Sequence, residues 1–165
     1  MKNMVAALAL CVVSGAAWAA EMAPNFKASR IQVVEGSVSA TIGCDVLPSN
    51  ADVARMALDV LESQKAAIGE ARQITLLPTG GKPDPAALKI AFDIHVVYEI
   101  YNSTDGPRAS EIDAADKVWS GASQVYPGEV ELQPWNTDVG CGDDVTYAVQ
   151  DIVKQSILSL TKRMK

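Results

Sequence analysis

The chain has 165 residues, 48% of them hydrophobic, and a formal net charge of −6. Its length is that of a single domain with one hydrophobic core. No basic stripe precedes the short C-terminal cluster of Lys162, Arg163 and Lys165. Nucleic-acid binding is therefore not expected, because neutralising phosphates requires clustered basic side chains.

The first residues have the pattern of a cleavable export signal. A short positive segment, residues 1–3, precedes the apolar run 5–13, and Ala17-Trp18-Ala19 satisfies the small-x-small cleavage rule. The apolar run is too short for a transmembrane helix. Because the signal is short and rich in alanine, as in bacteria, we expect a periplasmic protein with no transmembrane segment after cleavage.

These boundaries divide the chain into three parts. We predict a cleaved signal peptide over residues 1–19, a flexible leader over residues 20–28 and a single α+β domain over residues 29–165. Cys11 lies inside the apolar run and follows Leu10, where a lipoprotein signal requires a small residue. We therefore do not expect a lipoprotein.

Signal cleavage leaves two cysteines, Cys44 and Cys141. In an oxidising compartment an even number of cysteines favours a disulfide. Closing so long a loop stabilises a fold by about 4–5 kcal/mol in the chain-entropy model. A metal pair or a redox pair is the alternative. If the two cysteines pair, the helices that follow them begin at the same end of the sheet.

The first half of the domain contains β structure and one helix. Apolar residues alternate from Ser29 to Ile42, but their parity changes near Glu35-Gly36, which favours one bulged strand over a small hairpin. Ser49 or Asn50 is a natural N-cap for a helix that ends near Gly69. A short strand or a helical continuation follows at residues 74–77, and residues 79–85 form a loop by composition.

The stretch Leu88 to Tyr101 is the strongest strand signal in the chain. Every even position is apolar, and the odd positions are mostly polar. Side chains alternate between the two faces of a strand, so this pattern predicts one long strand with an apolar face and a polar face. A polar face favours an antiparallel sheet, because parallel sheets are usually covered on both sides.

The rest of the chain reads as loop, strands and a final helix. Residues 102–116 are predicted to be a polar loop, residues 117–126 a second strand and residues 129–132 a short returning strand, with Pro134-Trp135 ending the β region. Asp143 is the predicted cap of the last helix. The predicted fold is a two-layer α+β sandwich, with two long helices on one face of a mainly antiparallel sheet of about three to five strands.

The polar face of the central strand carries the first candidate site. Asp93, His95 and Glu99 share that face, and His95 is the only histidine in the chain. They could bind a small ligand or contribute to a metal site. A metal site would need a further ligand from a neighbouring strand, so no metal and no cofactor is predicted. A solvated sheet face explains the same residues.

Two further groups are weaker candidates. The acidic loop from Asp138 to Asp144 could bind calcium, but its spacing is not that of an EF-hand, and an acidic helix cap explains it. Tyr101, Trp119 and Trp135 are predicted to lie in the β region opposite the helices, where exposed aromatic side chains can form a partner surface.

No catalytic residues are predicted. The chain has no Gly-x-Ser-x-Gly motif, and a Ser-His-Asp triad could use only His95. The leading hypothesis is a non-catalytic periplasmic protein that binds an envelope protein or component through its sheet face or an edge strand. A homodimer through the sheet face is one form of this hypothesis. The alternatives are a small-ligand or metal-binding protein centred on His95 and a hydrolase.

Overall fold

The structure is a computed structural model, and it describes residues 24–42, 47–100, 106–121, 129–140 and 143–165. Within these ranges the chain forms strands and helices in the order β1 (Arg30–Val33), β2 (Ser37–Ala40), α1 (Asn50–Ser63), α2 (Lys65–Ile68), β3 (Gln73–Leu76), β4 (Leu88–Glu99), β5 (Arg108–Ser120), β6 (Glu129–Gly140) and α3 (Asp143–Arg163).

The strands form one six-stranded mixed sheet with β4 in its interior. Its order is β3-β1-β4-β5-β6, and β2 also pairs with β4, beyond β1. β1 is parallel to both β3 and β4, and β2 is parallel to β4. β5 is antiparallel to both β4 and β6. One side of the sheet is therefore parallel and the other antiparallel.

The predicted fold class is wrong. The described sheet has six strands and is not mainly antiparallel, since β1, β2, β3 and β4 are all parallel. The described helices number three, of which only α1 and α3 are long. α1 connects β2 to β3, which makes the first half of the domain a β-α-β unit with parallel strands.

The first strand is bulged, as its change of parity predicted. Val33 pairs with Ile90 and Ser37 pairs with Asp93. The first strand therefore advances by four residues where β4 advances by three. The nitrogen of Val34 still donates to the carbonyl oxygen of Ile90 at 2.8 Å. β1 and β2 are thus two halves of one strand that are separated by one extra residue.

The hydrophobic core lies between the even-numbered face of β4 and the two long helices. Four residues of α1 are buried at the spacing of one helical face. On β4 the even positions from Leu88 to Tyr98 are all at most 4% exposed. The buried core residues from these elements and from α3 include Val53, Ala57, Leu61, Ile90, Phe92, Ile94, Val96, Val149, Val153 and Ile157.

A connecting segment covers part of the opposite face. Residues 77–87 lead from β3 to β4 without regular secondary structure. Asp84 of this segment forms an ion pair with Arg30 at 2.8 Å, and its nitrogen donates to the side-chain oxygen of Gln32 at 2.8 Å. Arg30 and Gln32 are even-numbered residues of β1, whose odd-numbered residues are in the core. The segment therefore crosses β1 on the face opposite the helices.

The second half of the sheet is longer than the sequence predicts. The predicted loop over residues 102–116 contains the first nine residues of β5, and β6 continues through Pro134-Trp135 to Gly140. β5 is rich in alanine and charged residues, which are weak strand formers. It is a strand because it has a neighbour on each side, so that its backbone groups are paired by the sheet.

The ends of the domain are held together by one arginine. Arg72 donates to the carbonyl oxygen of Phe26 at 2.8 Å and to that of Met164 at 2.9 Å. Ala28 is only 5% exposed. The described end of the predicted leader, residues 24–28, is therefore packed against the domain. Among the described helices, none is long and apolar enough to cross a membrane.

Gly36 is predicted to be essential to the bulge. A Cβ atom at this position would lie 1.8 Å from the carbonyl oxygen of Phe92. Because this oxygen belongs to the backbone of β4, no side-chain rotation can relieve the clash. We expect Gly36→Ala to lower the free energy of unfolding by at least about 2 kcal/mol, as measured by urea denaturation. The matched control is Ser37→Ala at the exposed neighbouring position. Equal stability of the two variants would contradict this prediction.

The cap of α1 predicts a pH dependence of stability. The hydroxyl of Ser49 accepts from the nitrogen of Asp52 at 3.2 Å, and the Asp52 carboxylate accepts from the hydroxyl and nitrogen of Ser49 at 2.6 and 3.0 Å. These bonds, the hydroxyl bond above all, lower the pKa of Asp52 from its ordinary 3.8. Their contribution is therefore complete above that value and is lost as the pH falls through the lowered pKa.

We expect Ser49→Ala to lower the free energy of unfolding by about 1 kcal/mol near neutral pH. The difference in the free energy of unfolding between the parent and this variant should shrink in acid, where the Asp52 carboxylate is protonated in both proteins. Urea denaturation across the acidic range measures both quantities. Ser63→Ala, at the exposed last residue of α1, is the control. A difference that does not change with pH would exclude the carboxylate from the cap.

Candidate functional site

Beyond the 77–87 segment, the odd-numbered face of β4 and β5 is open within the described part of the chain. We call this region the open face. Neither helix covers it, because α1 and α3 pack on the even-numbered face. Its central residues come from three neighbouring strands, and we call them the polar cluster: Ser37, Ser39, Asp93, His95, Asp113 and Lys117.

Hydrogen bonds connect the polar cluster across strands. The hydroxyl of Ser39 and Nδ1 of His95 are 2.9 Å apart. The nitrogen of Ser37 donates to Oδ1 of Asp93 at 2.9 Å, and Lys117 forms an ion pair with Oδ2 of the same carboxylate. The bulge thus places β2 where its backbone and side chains contact the middle of β4. Asp93 is fixed from both sides.

The polar cluster surrounds a shallow depression of about 280 Å³. Its floor includes Ala115, which pairs with Asp93 and lies midway between Asp113 and Lys117 on β5. Ala115 is buried, whereas four larger side chains around it are partly exposed: Asp93, His95, Asp113 and Lys117. The depression exists because a small side chain stands among longer ones.

The structure brings together two of the three predicted ligand residues. Asp93 and His95 both line the depression, but Glu99 does not. Glu99 is four residues beyond His95 on the same strand, about 13 Å away. Over the described ranges, no three His, Cys, Asp or Glu side chains are grouped as a metal site requires. In addition, both carboxylate oxygens of Asp93 already have partners, the nitrogen of Ser37 and the ammonium of Lys117.

A serine, a histidine and an aspartate lie in one row across the sheet. Ser39 pairs with His95, and His95 pairs with Asp113 on the other side. However, within the described part of the chain Asp113 makes no ion pair or hydrogen bond with any residue, His95 included. A catalytic triad needs the carboxylate to orient the imidazole. The row is therefore a set of polar groups without the second contact of a triad.

The two described residues of the predicted aromatic surface, Trp119 and Trp135, do not share a face of the sheet. Trp119 is 2% exposed and lies in the floor of a groove between the bulge and residues 77–83. Trp135 is in register with Ile112 and packs against the core on the helix side. The two side chains therefore lie on opposite faces of the sheet. Tyr101 lies outside the described residues.

Lys89 is on the polar face in the sequence pattern, but it is completely buried. Its ammonium donates to the carbonyl oxygens of Ala87 at 3.1 Å and Gly121 at 2.5 Å. Burial lowers the pKa of Lys89, and the nearby charge of Asp84 opposes that shift. The 77–87 segment therefore removes Lys89 from the surface available to a partner.

Sequence reasoning missed Ser37, Ser39 and Asp113. The alternation after the parity change places Ser37 and Ser39 on one face of their strand, which is a usable signal. Asp113 falls in the predicted loop over residues 102–116, so the sequence does not predict its register with His95. Cys44 and Cys141 lie outside the described residues, as do the side chains of the acidic loop 138–144. The disulfide stays a prediction.

Comparisons with known proteins show a likeness in fold only. No protein-family model and no curated protein matches this chain. Among solved structures, the PelC dodecamer from Paraburkholderia phytofirmans aligns with a TM-score of 0.50 and 10% identity, over 81% of this chain and 89% of that chain. A minor lipoprotein from Acinetobacter baumannii aligns with a TM-score of 0.41 and 8% identity, over 83% and 92% of the two chains.

The ion pair of Asp93 and Lys117 is predicted to couple β4 to β5. Their side chains are 27% and 18% exposed, so solvent screens their attraction only in part. We expect a double-mutant cycle of Asp93→Asn and Lys117→Met to give a coupling of about 0.5–1 kcal/mol in the free energy of unfolding. Urea denaturation of the four proteins measures it.

The control is the ion pair of Glu62 and Lys65 on the helical surface. It has an oxygen–nitrogen distance of 3.3 Å and exposures of 42% and 39%. A cycle of Glu62→Gln and Lys65→Met should give a smaller coupling that disappears in high salt. If both cycles give the same coupling, the contact between Asp93 and Lys117 has no special role in the sheet.

Proposed function

We propose that this protein is an exported, non-catalytic binding protein whose open face binds a protein or another component of the bacterial envelope. The observation that carries the proposal is the polar cluster on a sheet face that neither long helix covers. Its side chains can donate and accept hydrogen bonds. Their geometry supplies neither a complete triad nor a group of metal ligands within the described residues.

Export to the periplasm is supported by the sequence of the first 19 residues. They combine a positive start, an apolar run and a small-x-small site, in the order that signal peptides require. A periplasmic domain meets envelope proteins, lipids and cell-wall polymers. The net charge of −6 favours a partner other than the anionic surface of a lipid bilayer, because like charges repel.

The open face is a better candidate than the edge strands. On the β2 edge, the nitrogen of Val38 already donates to the side-chain oxygen of Asn50 at 2.9 Å, which removes one of the backbone groups that an added strand would use. β6 is the longer edge, with 12 residues that pair with β5 alone in the described part of the sheet. It is the second candidate surface.

Site-specific photocrosslinking in intact cells tests the proposal. A photoreactive amino acid replaces Val97, which is half-exposed on the open face beside the polar cluster. The same substitution at Asp59, exposed on α1, is the matched control. We expect a dominant adduct with an envelope component from position 97 and none from position 59. A third probe on β6 tests the edge strand.

Each result has a distinct meaning. An adduct of twice the monomer mass would identify a second copy as the partner, which the experiment must be able to detect because the similar PelC structure is a dodecamer. Adducts from β6 alone would move the binding surface to the edge. No adduct above background from positions 97 and β6 would refute the proposed function.

A further inference from the structure

We propose that the depression above Ala115 binds one ring of a neutral, hydroxyl-rich ligand, namely a sugar. The inference rests on the proposed function, because it assigns a ligand class to the same open face. Three features of the depression support it: its hydrogen-bonding groups, their charges and its size.

Three polar groups around the depression remain available to a ligand. Within the described residues, the Asp113 carboxylate and the Ser37 hydroxyl have no hydrogen-bond partner, and His95 uses only Nδ1. These groups supply an acceptor, a group that both donates and accepts, and an imidazole Nε2. A ligand that satisfies all three must present several donors and acceptors within one small ring.

The imidazole of His95 favours hydroxyl groups in particular. If the Ser39 hydroxyl donates to Nδ1, then Nε2 carries the hydrogen and donates. If Ser39 accepts, Nε2 is an acceptor in the neutral ring. A ligand hydroxyl can pair with Nε2 in either tautomer, because a hydroxyl both donates and accepts. A carboxylate or an ammonium group can pair with Nε2 in only one of the two tautomers, because the first only accepts and the second only donates.

The charges around the depression disfavour an anionic ligand. Asp113 and Lys117 lie two residues to either side of Ala115 on the same strand. Lys117 forms an ion pair with Asp93, so the carboxylate of Asp113 has no counter-charge among the described residues and would repel an anion. A neutral ligand meets no such repulsion. Its hydroxyl groups can donate to Asp113, which forms the stronger, charge-assisted bond.

The size of the depression sets the extent of the contact. Its volume of about 280 Å³ is at the lower limit of small-molecule pockets, so it admits one ring. The rest of a longer saccharide would lie along the open face. An isolated ring makes few contacts here and should bind with a dissociation constant in the millimolar range.

Amide chemical-shift mapping of the full exported chain by NMR tests the inference. The probe is methyl glucoside, and glucuronate is the anionic analogue of the same ring. We expect the neutral sugar to shift the amide signals of Ser39, His95 and Ala115 with saturation. Glucuronate should bind more weakly.

Two variants locate the site. Ala115→Leu fills the depression and should abolish the shifts. Asp113→Asn should weaken binding about tenfold, because the charged acceptor is lost. Its matched control is Glu111→Gln, the same chemical change on the same strand and face but outside the depression. That variant should bind like the parent. If Ala115→Leu does not fold, the Asp113 and Glu111 pair decides alone.

Three outcomes would overturn the inference: no saturable shift with methyl glucoside, tighter binding of glucuronate, or equal effects of Asp113→Asn and Glu111→Gln. Crosslinking at position 97 distinguishes a failure of the sugar-binding inference from a failure of the proposed function. An envelope adduct without sugar binding leaves the proposed function intact and removes only the sugar. Sugar binding without any adduct in cells removes the macromolecular partner and leaves the ligand site.

Discussion

β4 is paired along both of its edges, and this double pairing fixes the positions of the other strands and of the two long helices. Its 12 residues pair in parallel with β1 and β2 along one side and antiparallel with β5 along the other. Because side chains alternate along the strand, one set of residues faces the helices and the other faces away. Core and candidate site are therefore two faces of the same strand.

The bulge between β1 and β2 joins the fold to the site. Without the extra residue, the serines of β2 would be out of step with Asp93 and His95, since a shift of one residue exchanges the two faces of a strand. With it, Ser37 pairs with Asp93 and Ser39 with His95. The close approach of Gly36 to β4 is thus a structural requirement with a consequence for the polar cluster.

The face opposite the helices is divided by the 77–87 segment. Under the segment, Lys89 and Trp119 are buried, and the ammonium is held by backbone carbonyl oxygens. Beyond it, the polar cluster is accessible around Ala115. The 77–87 segment therefore limits which polar residues of this sheet face can contact a ligand.

Local sequence patterns are enough to predict several features of this domain. They identify the central strand, the bulge near Glu35-Gly36, the cap of α1 at Ser49 and the shared face of Asp93 and His95, because alternation and capping are set by neighbouring residues. Strand direction, the burial of Lys89 and Trp119, and the position of Asp113 depend instead on contacts between distant parts of the chain. Strand direction is set by the path of the connections, and burial by segments distant in sequence. The strand β5 owes its existence to two neighbouring strands, so no local signal could place Asp113 opposite His95.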